Sequence, residues 1–537
     1  MANSMVFILL CCAITGTHSA RILAVFPTPS VSHQVVLQPL TLELAKRGHE
    51  LTVITAYPLY ASKNPENYTE IDVYEVSYEH WKKKVVHNIE FGTKKSIYPQ
   101  METLLSAMTE VICLQIKHPK IQRIIKDREK YDLLLLEAWS RQTLVYSHLF
   151  QAPVIQISSL GSMFGRDEGN VGAPKHPFLF PMTISQKLYN HTFWDKIEEL
   201  RFRLWFDRFF YAEESNELEI LREKISNDLP NYDILSDNID MLFINSHPMW
   251  INNQPLPPNV KTIWGIYKNP ERVLPKLHLI QLPNVTIEEG DKREHPKIKL
   301  FITQGGLQST DEAISAGVPM IGIPMLGDQW FNVEKYVLYK IGIKIEMETI
   351  TEEELEEAIQ TIINDTSYRD NIVRLRKLMN DQPQGALERA VWWTEYVLRH
   401  GGAKHLRAAG ANMHWTKYYE IEFVLQLFSI VFVALVTSLL VVYFVWKQLS
   451  IPKRHPKIML FITQGGLQST DEAMDAGVPL IGIPMLGYQS YNVEQYEYHK
   501  IGVKLDLEIL TEEKLFDAIN AIIYLSYPYL IKRIIVE

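Results

Sequence analysis

At 537 residues, 47% hydrophobic and 22% charged, the chain has room for two or three packed domains and is too apolar for general disorder. Its formal net charge of −9, with no basic stripe, argues against a nucleic-acid partner, because neutralising phosphates needs a basic face. Two of the three cysteines, Cys11 and Cys12, lie in an N-terminal apolar run. Cleavage of that run leaves Cys113 alone, so no internal disulfide is expected, and Cys113 reads as a small buried hydrophobe.

Residues 5–14 form a short apolar core, followed by small residues up to Ala20. This is the pattern of a secretory signal peptide over residues 1–20, too short to span a bilayer. Arg21 to Phe26 reads as a buried strand. A helix is expected from about His33 to Arg47, with Val36, Leu37, Leu40 and Leu44 on one face and Gly48 as its stop. Leu51 to Thr55 completes a strand–helix–strand unit, the start of an open parallel sheet. Leu133 to Leu136, ending at Glu137, and Val154 to Ser158 are further strands, with a helix around Thr143 to Phe150 between them. Residues 176–211 are dense in aromatics, among them Phe202, Trp205, Phe206 and Phe210. Core packing, an apolar acceptor pocket and contact with a membrane all suit such a segment. Met241 to Asn245 is a strand, and the irregular run 269–294 reads as a linker that closes an N-terminal domain at residues 21–268.

A second α/β segment, residues 295–415, begins at His295. Lys299 to Thr303 is a strand, Gly305-Gly306 a turn, Ser309 to Ala316 a helix and Pro319 to Ile323 a strand. Further helices are expected after Asp328, over Thr351 to Ile363 and over Ala386 to Arg399. Phe423 to Trp446 carries no charge over 24 residues, enough for one transmembrane helix. Lys447, Lys453, Arg454 and Lys457 follow it, which places the C-terminal side in the cytosol and the bulk of the chain in the lumen. The Asn-x-Thr sequons at Asn67, Asn190, Asn284 and Asn364 all precede the span. A single-pass type I protein of the endoplasmic reticulum membrane is therefore expected.

Residues 295–327 recur at 455–487, with 29 of 33 positions identical. A membrane span between two such copies is not a solenoid. A recent duplication or a mis-joined gene explains the near-identity better than a folding requirement.

In Phe301-Ile-Thr-Gln-Gly-Gly-Leu-Gln-Ser-Thr-Asp-Glu-Ala a strand feeds two glycines and then a helix. The glycines let backbone approach a ligand, and the helix start, with Ser309 and Glu312 at capping-box spacing, can hold a diphosphate. An ordinary capped helix after a glycine turn has the same spacing. The longer pattern from Phe301 through Asp328, Gln329 and Asn332, with Ser32-His33 and Arg47-Gly48-His49, resembles the UDP-glycosyltransferase family of the membrane-bound, insect-like type. That resemblance implies two Rossmann-like domains of the GT-B type facing a cleft. It implies that Gln304, Gly305, Gly306 and Ser309 face the diphosphate and that Glu312 accepts from the ribose. Asp328 and Gln329 would hold sugar hydroxyls. His33 would be the catalytic base and Glu137, one methylene longer than the family's Asp, its partner. The implied reaction is inverting transfer of a hexose, glucose by the insect-like resemblance, from a UDP-sugar to a small lipophilic acceptor. No metal or cofactor is called for, and oligomers with paralogues are a further implication.

The sequence departs from the family between Trp264 and His295, where no Trp-x-Pro-Gln uracil platform is found. The C-terminal domain should therefore lack its first units and expose an edge. The second copy, residues 455–537, carries Tyr488 in place of Asp328 and is expected to be an inactive fragment. These departures make a non-catalytic binding or oligomerisation partner the alternative to an enzyme.

Overall fold

Leucine- and isoleucine-rich runs without polar alternation make strands buried on both faces, and here they build the principal sheet. The computed structural model describes residues 19–60, 65–93, 97–268, 298–450 and 457–524. The signal-peptide core and the whole of the 269–294 linker lie outside the described residues. The sheet comprises β1 (Arg21–Phe26), β2 (Glu50–Thr55), β3 (Tyr68–Asp72), β4 (Leu133–Glu137), β5 (Val154–Ser158), β6 (Ile239–Ile244) and β7 (Val260–Thr262). All pair in parallel, in the order β3-β2-β1-β4-β5-β6-β7. The order reverses between β1 and β4, so the crevice beyond their C-terminal ends is the place where such a sheet takes a ligand.

Helix α1 (Val31–Lys46) starts two residues earlier than the sequence suggests and buries Val36, Leu37, Leu40 and Leu44, as expected. Two long helices lie outside the expected elements: α2 (Ile97–Ile116) and α3 (Phe193–Lys224). Thr192 and Asp195 form a capping box at the start of α3. The aromatic segment divides along that helix. Phe202, Phe206 and Phe210 are buried in an apolar cluster that Trp139 and Leu326 also touch, whereas Phe193, Trp194 and Leu204 are exposed.

A second parallel sheet, ordered β10-β9-β8, is formed by β8 (Phe301–Thr303), β9 (Met320–Gly322) and β10 (Gly342–Lys344). Among the described residues β8 has no neighbour on its outer side, and its Ile302 is exposed. Around this sheet lie α4 (Leu307–Ala316), α5 (Gln329–Leu338), α6 (Glu352–Asn364) and α7 (Ser367–Asn380), and α8 (Ala386–His400) follows them in the chain. Helix α8 returns to the large sheet, where Ala390, Val391 and Val397 join Val36, Leu37 and Leu40 in one core cluster. The expected boundary between N- and C-terminal domains is thus bridged, and residues up to Tyr418 form one compact unit.

Polar contacts reinforce that join. Trp250 Nε1 donates to Asn332 Oδ1 at 2.9 Å, and Tyr339 OH to the Met249 carbonyl at 2.8 Å. Trp264 and Tyr267 both donate to the buried Asp311 carboxylate. Lys335 is fully buried, with no carboxylate partner among the described residues. Its ammonium reaches Tyr189 OH at 2.6 Å and Asn252 Oδ1.

The second unit runs from Tyr419 to Glu537. Its helix α9 (Ile421–Ser450) is long and apolar enough to cross a membrane, and its side chains are exposed. The repeated segment folds as β11 (Phe461–Thr463), β12 (Leu480–Gly482) and β13 (Gly502–Lys504), with α10 (Leu467–Asp475) and α11 (Gly487–Tyr498). Its strand order, β11-β12-β13, matches that of β8, β9 and β10.

Burial lowers the Lys335 ammonium to about 7, far below the ordinary lysine range. Between that value and the unfolded one, the unfolded chain holds a proton that the folded chain has lost, so stability rises with pH across this window. The cost of the buried charge is complete below pH 7. Lys335→Met should therefore raise the melting temperature most at pH 6, with the gain over the parent shrinking towards pH 10. Calorimetry at both pH values checks this.

Candidate active site

His33 stands in the first turn of α1, just beyond the end of β1. Gln34, fully buried, fixes that turn: its Nε2 donates to the carbonyls of Phe26 and Thr28, each at 2.9 Å, and its Oε1 accepts from Thr55 Oγ1 at 2.8 Å. Glu137 ends β4 and is fully buried. Its Oε1 lies 2.7 Å from His33 Nδ1, and its Oε2 accepts from the Thr28 N–H at 3.3 Å. Trp139 donates to Thr28 Oγ1 at 3.0 Å and presents its ring edge-on to His33. A third group meets the imidazole: Ser159 Oγ is also 2.7 Å from Nδ1. The sequence pattern brought out His33 and Glu137. Gln34, Trp139 and Ser159 have no local signature and become visible only when β1, β4 and β5 are side by side.

The donor side is built around the start of α4. The helix begins at Leu307, and Gly306 is its N-cap, so the capping box at Ser309 and Glu312 is not formed. Ser309 sits inside the first turn, and Glu312, one turn on, accepts from Gln308 Nε2 at 3.3 Å. A glycine cap offers no side chain to the first N–H groups, which leaves the positive end of the helix suited to an anion. Gln304 is exposed at the end of β8. Gly305 has φ of +86°, and a Cβ there would lie 2.4 Å from Val333 Cγ2. Its glycine is thus required by packing against α5, beside any role in approaching a ligand.

Asp328 is the N-cap of α5. Its Oδ2 accepts from Asn332 Nδ2 at 2.9 Å, and the same amide donates to the Gly305 carbonyl at 2.9 Å. Burial pushes the Asp328 carboxyl up. Asn332 and the backbone N–H groups of Asp328 and Leu307 hold part of that rise back. The acceptor-side and donor-side residues lie within one compact unit. Gln329, expected to hold sugar hydroxyls, also has a part in the fold. Its Oε1 accepts from the N–H groups of Met325 and Leu326 at 2.8 and 2.9 Å, which ties the preceding loop. Gln489 makes the same two bonds in the second copy, where Tyr488 replaces Asp328. That repetition marks the contact as structural, with only the Gln329 NH2 group left for a ligand.

Two parallel α/β sheets, one ending in a histidine–carboxylate pair and the other in a glycine turn that leads into a helix, thus lie within one compact unit. The chain belongs to the UDP-glucoronosyl and UDP-glucosyl transferase family, whose model matches residues 21–282, 287–454 and 451–529. It is 28% identical over 496 residues to an ecdysteroid UDP-glucosyltransferase of Spodoptera littoralis nuclear polyhedrosis virus, covering 78% of this chain and 96% of that protein. It is 25% identical over 507 residues to UDP-glucuronosyltransferase 2B13 of Oryctolagus cuniculus, covering 81% of this chain and 94% of the relative. Among solved structures, a UDP-glucose: anthocyanidin 3-O-glucosyltransferase in complex with UDP aligns at 13% identity and a TM-score of 0.43, over 71% of this chain and 99% of its own.

The tight seat of Gly305 gives a direct test. Gly305→Ala forces a side chain into the left-handed region and against Val333, which should cost about 2–4 kcal/mol. Val333→Ala in the same chain should return part of that loss, and a double-mutant cycle by denaturant unfolding measures the coupling.

Proposed function

We propose that the chain transfers glucose from UDP-glucose to a hydroxyl of a small lipophilic acceptor, with inversion at the anomeric carbon and His33 as general base. The observation that carries this reading is the 2.7 Å His33–Glu137 pair, held in the same compact unit as the Gly305 turn and Asp328 that Asn332 ties together. His33 Nε2 takes the acceptor's hydroxyl proton while that oxygen attacks C1 of the sugar. The bond from C1 to the diphosphate oxygen breaks, and UDP leaves with the electron pair. Gln304, Gly305, Gly306 and Ser309 at the start of α4 receive the growing negative charge. Asp328 accepts from sugar hydroxyls, Glu312 from the ribose, and Glu137 stabilises the imidazolium. The step draws on these groups alone and assigns no part to a metal.

Glucose is supported by the relatives named as ecdysteroid UDP-glucosyltransferases. Those names also favour a hydroxylated polycyclic acceptor. Helix α9 would anchor the chain in the endoplasmic reticulum membrane with residues 21–415 in the lumen.

A second reading is favoured by one observation: β8 is an edge strand among the described residues, and no uracil platform precedes it in sequence. On that reading the chain is a non-catalytic partner of active relatives. Titration of the detergent-solubilised full chain with UDP separates the two, since a catalyst must bind UDP and a partner need not. For an active chain, His33→Ala should lower kcat by about 10²–10⁴-fold while UDP affinity stays within twofold. Retention of more than a tenth of the parent rate would remove His33 from the role of base.

A further inference from the structure

We infer that Ser159 is a positioning residue for His33. It holds the imidazole in the tautomer that leaves Nε2 free to take a proton. The inference rests on the reading of His33 as base.

Three atoms form a tight triangle. His33 Nδ1 is 2.7 Å from Glu137 Oε1 and 2.7 Å from Ser159 Oγ, and Ser159 Oγ is 3.5 Å from Glu137 Oε1. The ring nitrogen has one position in its plane, occupied by either a hydrogen or a lone pair. With a lone pair there, a carboxylate oxygen at 2.7 Å faces it with no hydrogen between, which is repulsive. With a hydrogen there, Nδ1–H is shared between Glu137 and Ser159, and the Ser159 hydroxyl is free to donate to Glu137. Only this second arrangement leaves all three contacts attractive.

A glutamate needs such help. Its side chain has one more rotatable bond than an aspartate at the same place, so its carboxylate is less well fixed by its own backbone. Besides His33 and Ser159, it has the 3.3 Å contact from the Thr28 N–H. Ser159 itself is rigid. It is buried and directly follows β5. The preceding Ser158 hydroxyl clamps the loop through the carbonyls of Leu160 and Ser162, at 3.1 and 3.0 Å. Two residues beyond, Gly161 packs against Leu307, with a built Cβ only 3.1 Å from its Cδ1. The loop that fixes the imidazole is therefore the loop on which the first residue of α4 rests. Ser159 joins the setting of the base to the seating of the helix that would receive the diphosphate.

Two readouts test this in the full chain. The first is labelling of His33 by diethyl pyrocarbonate, followed by peptide mass spectrometry, with the exposed His87 as internal control. The reagent acylates a ring nitrogen that carries a lone pair, and only Nε2 is open to it. Ser159→Ala should slow His33 labelling at pH 7 by about threefold with His87 unchanged, and Ser159→Thr should restore it, because threonine keeps the hydroxyl. The second is kinetic: Ser159→Ala should lower kcat about tenfold while KM for UDP-glucose stays within twofold. A Ser159→Ala chain with parental melting and parental His33 labelling overturns the inference. So does a defect that threonine fails to restore, or one that His87 shares. Should His33→Ala leave transfer intact, the base assignment fails, while the labelling still reports on the Ser159 contact by itself.

Discussion

The carboxamide of Asn332 is the contact on which the rest of the site depends. It accepts from Trp250, which belongs to the large sheet's side, and donates to both Gly305 and Asp328 on the small sheet's side. One buried side chain therefore fixes the glycine turn and the carboxylate at once, and ties both to the half of the molecule that carries His33. Asn332 has two donor hydrogens and an acceptor oxygen, and these three bonds use all of them. A buried network in this state is rigid, and losing any member strands the others without water to replace it. The short second sheet, only three strands of three residues each, owes its place to this network and to helix α8 as much as to its own core.

Much of this was legible in the chain. The strands at Arg21–Phe26 and Val154–Ser158 and the buried face of α1 follow from hydrophobic patterning alone, because a strand covered on both faces leaves little room for ambiguity. The residues His33, Glu137 and Asp328 were legible through their motif. Three things were not. Helix α3 packs aromatic and charged residues on several faces, as with the Arg141–Glu217 and Arg141–Glu214 pairs buried against it, so its period is blurred. The start of α4 was misjudged because Ser-x-x-Glu also occurs inside a helix, and a glycine cap leaves no side-chain signal. Ser159 was invisible because its partners lie 126 and 22 residues away in sequence.

The repeat offers an internal control on what local sequence decides. In both copies the glycine turn adopts the same left-handed conformation, with φ of +86° at Gly305 and +87° at Gly465. Both place an asparagine amide on its carbonyl, Asn332 at 2.9 Å and Asn492 at 2.8 Å. Both bond a threonine to a tyrosine across the helices. The packing inside the module is thus self-contained. Its outward face is not. Leu307 is 7% exposed and Leu467 66%, while Phe331 is 2% exposed and its counterpart Tyr491 67%. In the first copy that face is covered by Leu188, Trp250 and Trp264. Near-identical sequence therefore yields the same interior and an opposite surface, and only the first copy keeps the carboxylate at position 328.

The glycine at position 306 has a consequence for how such a protein can evolve. A helix that opens on a residue without a side chain is capped only in part, here by the contact of its Leu307 N–H with Asp328. An anion at the remaining first-turn N–H groups would complete it, so that part of any recognition energy would come from a helix left incomplete. A serine or aspartate there would satisfy the same amides permanently and make a sturdier protein that had already spent its affinity on itself. Durability and ligand capture compete for one handful of N–H groups, and selection for either is paid in the other.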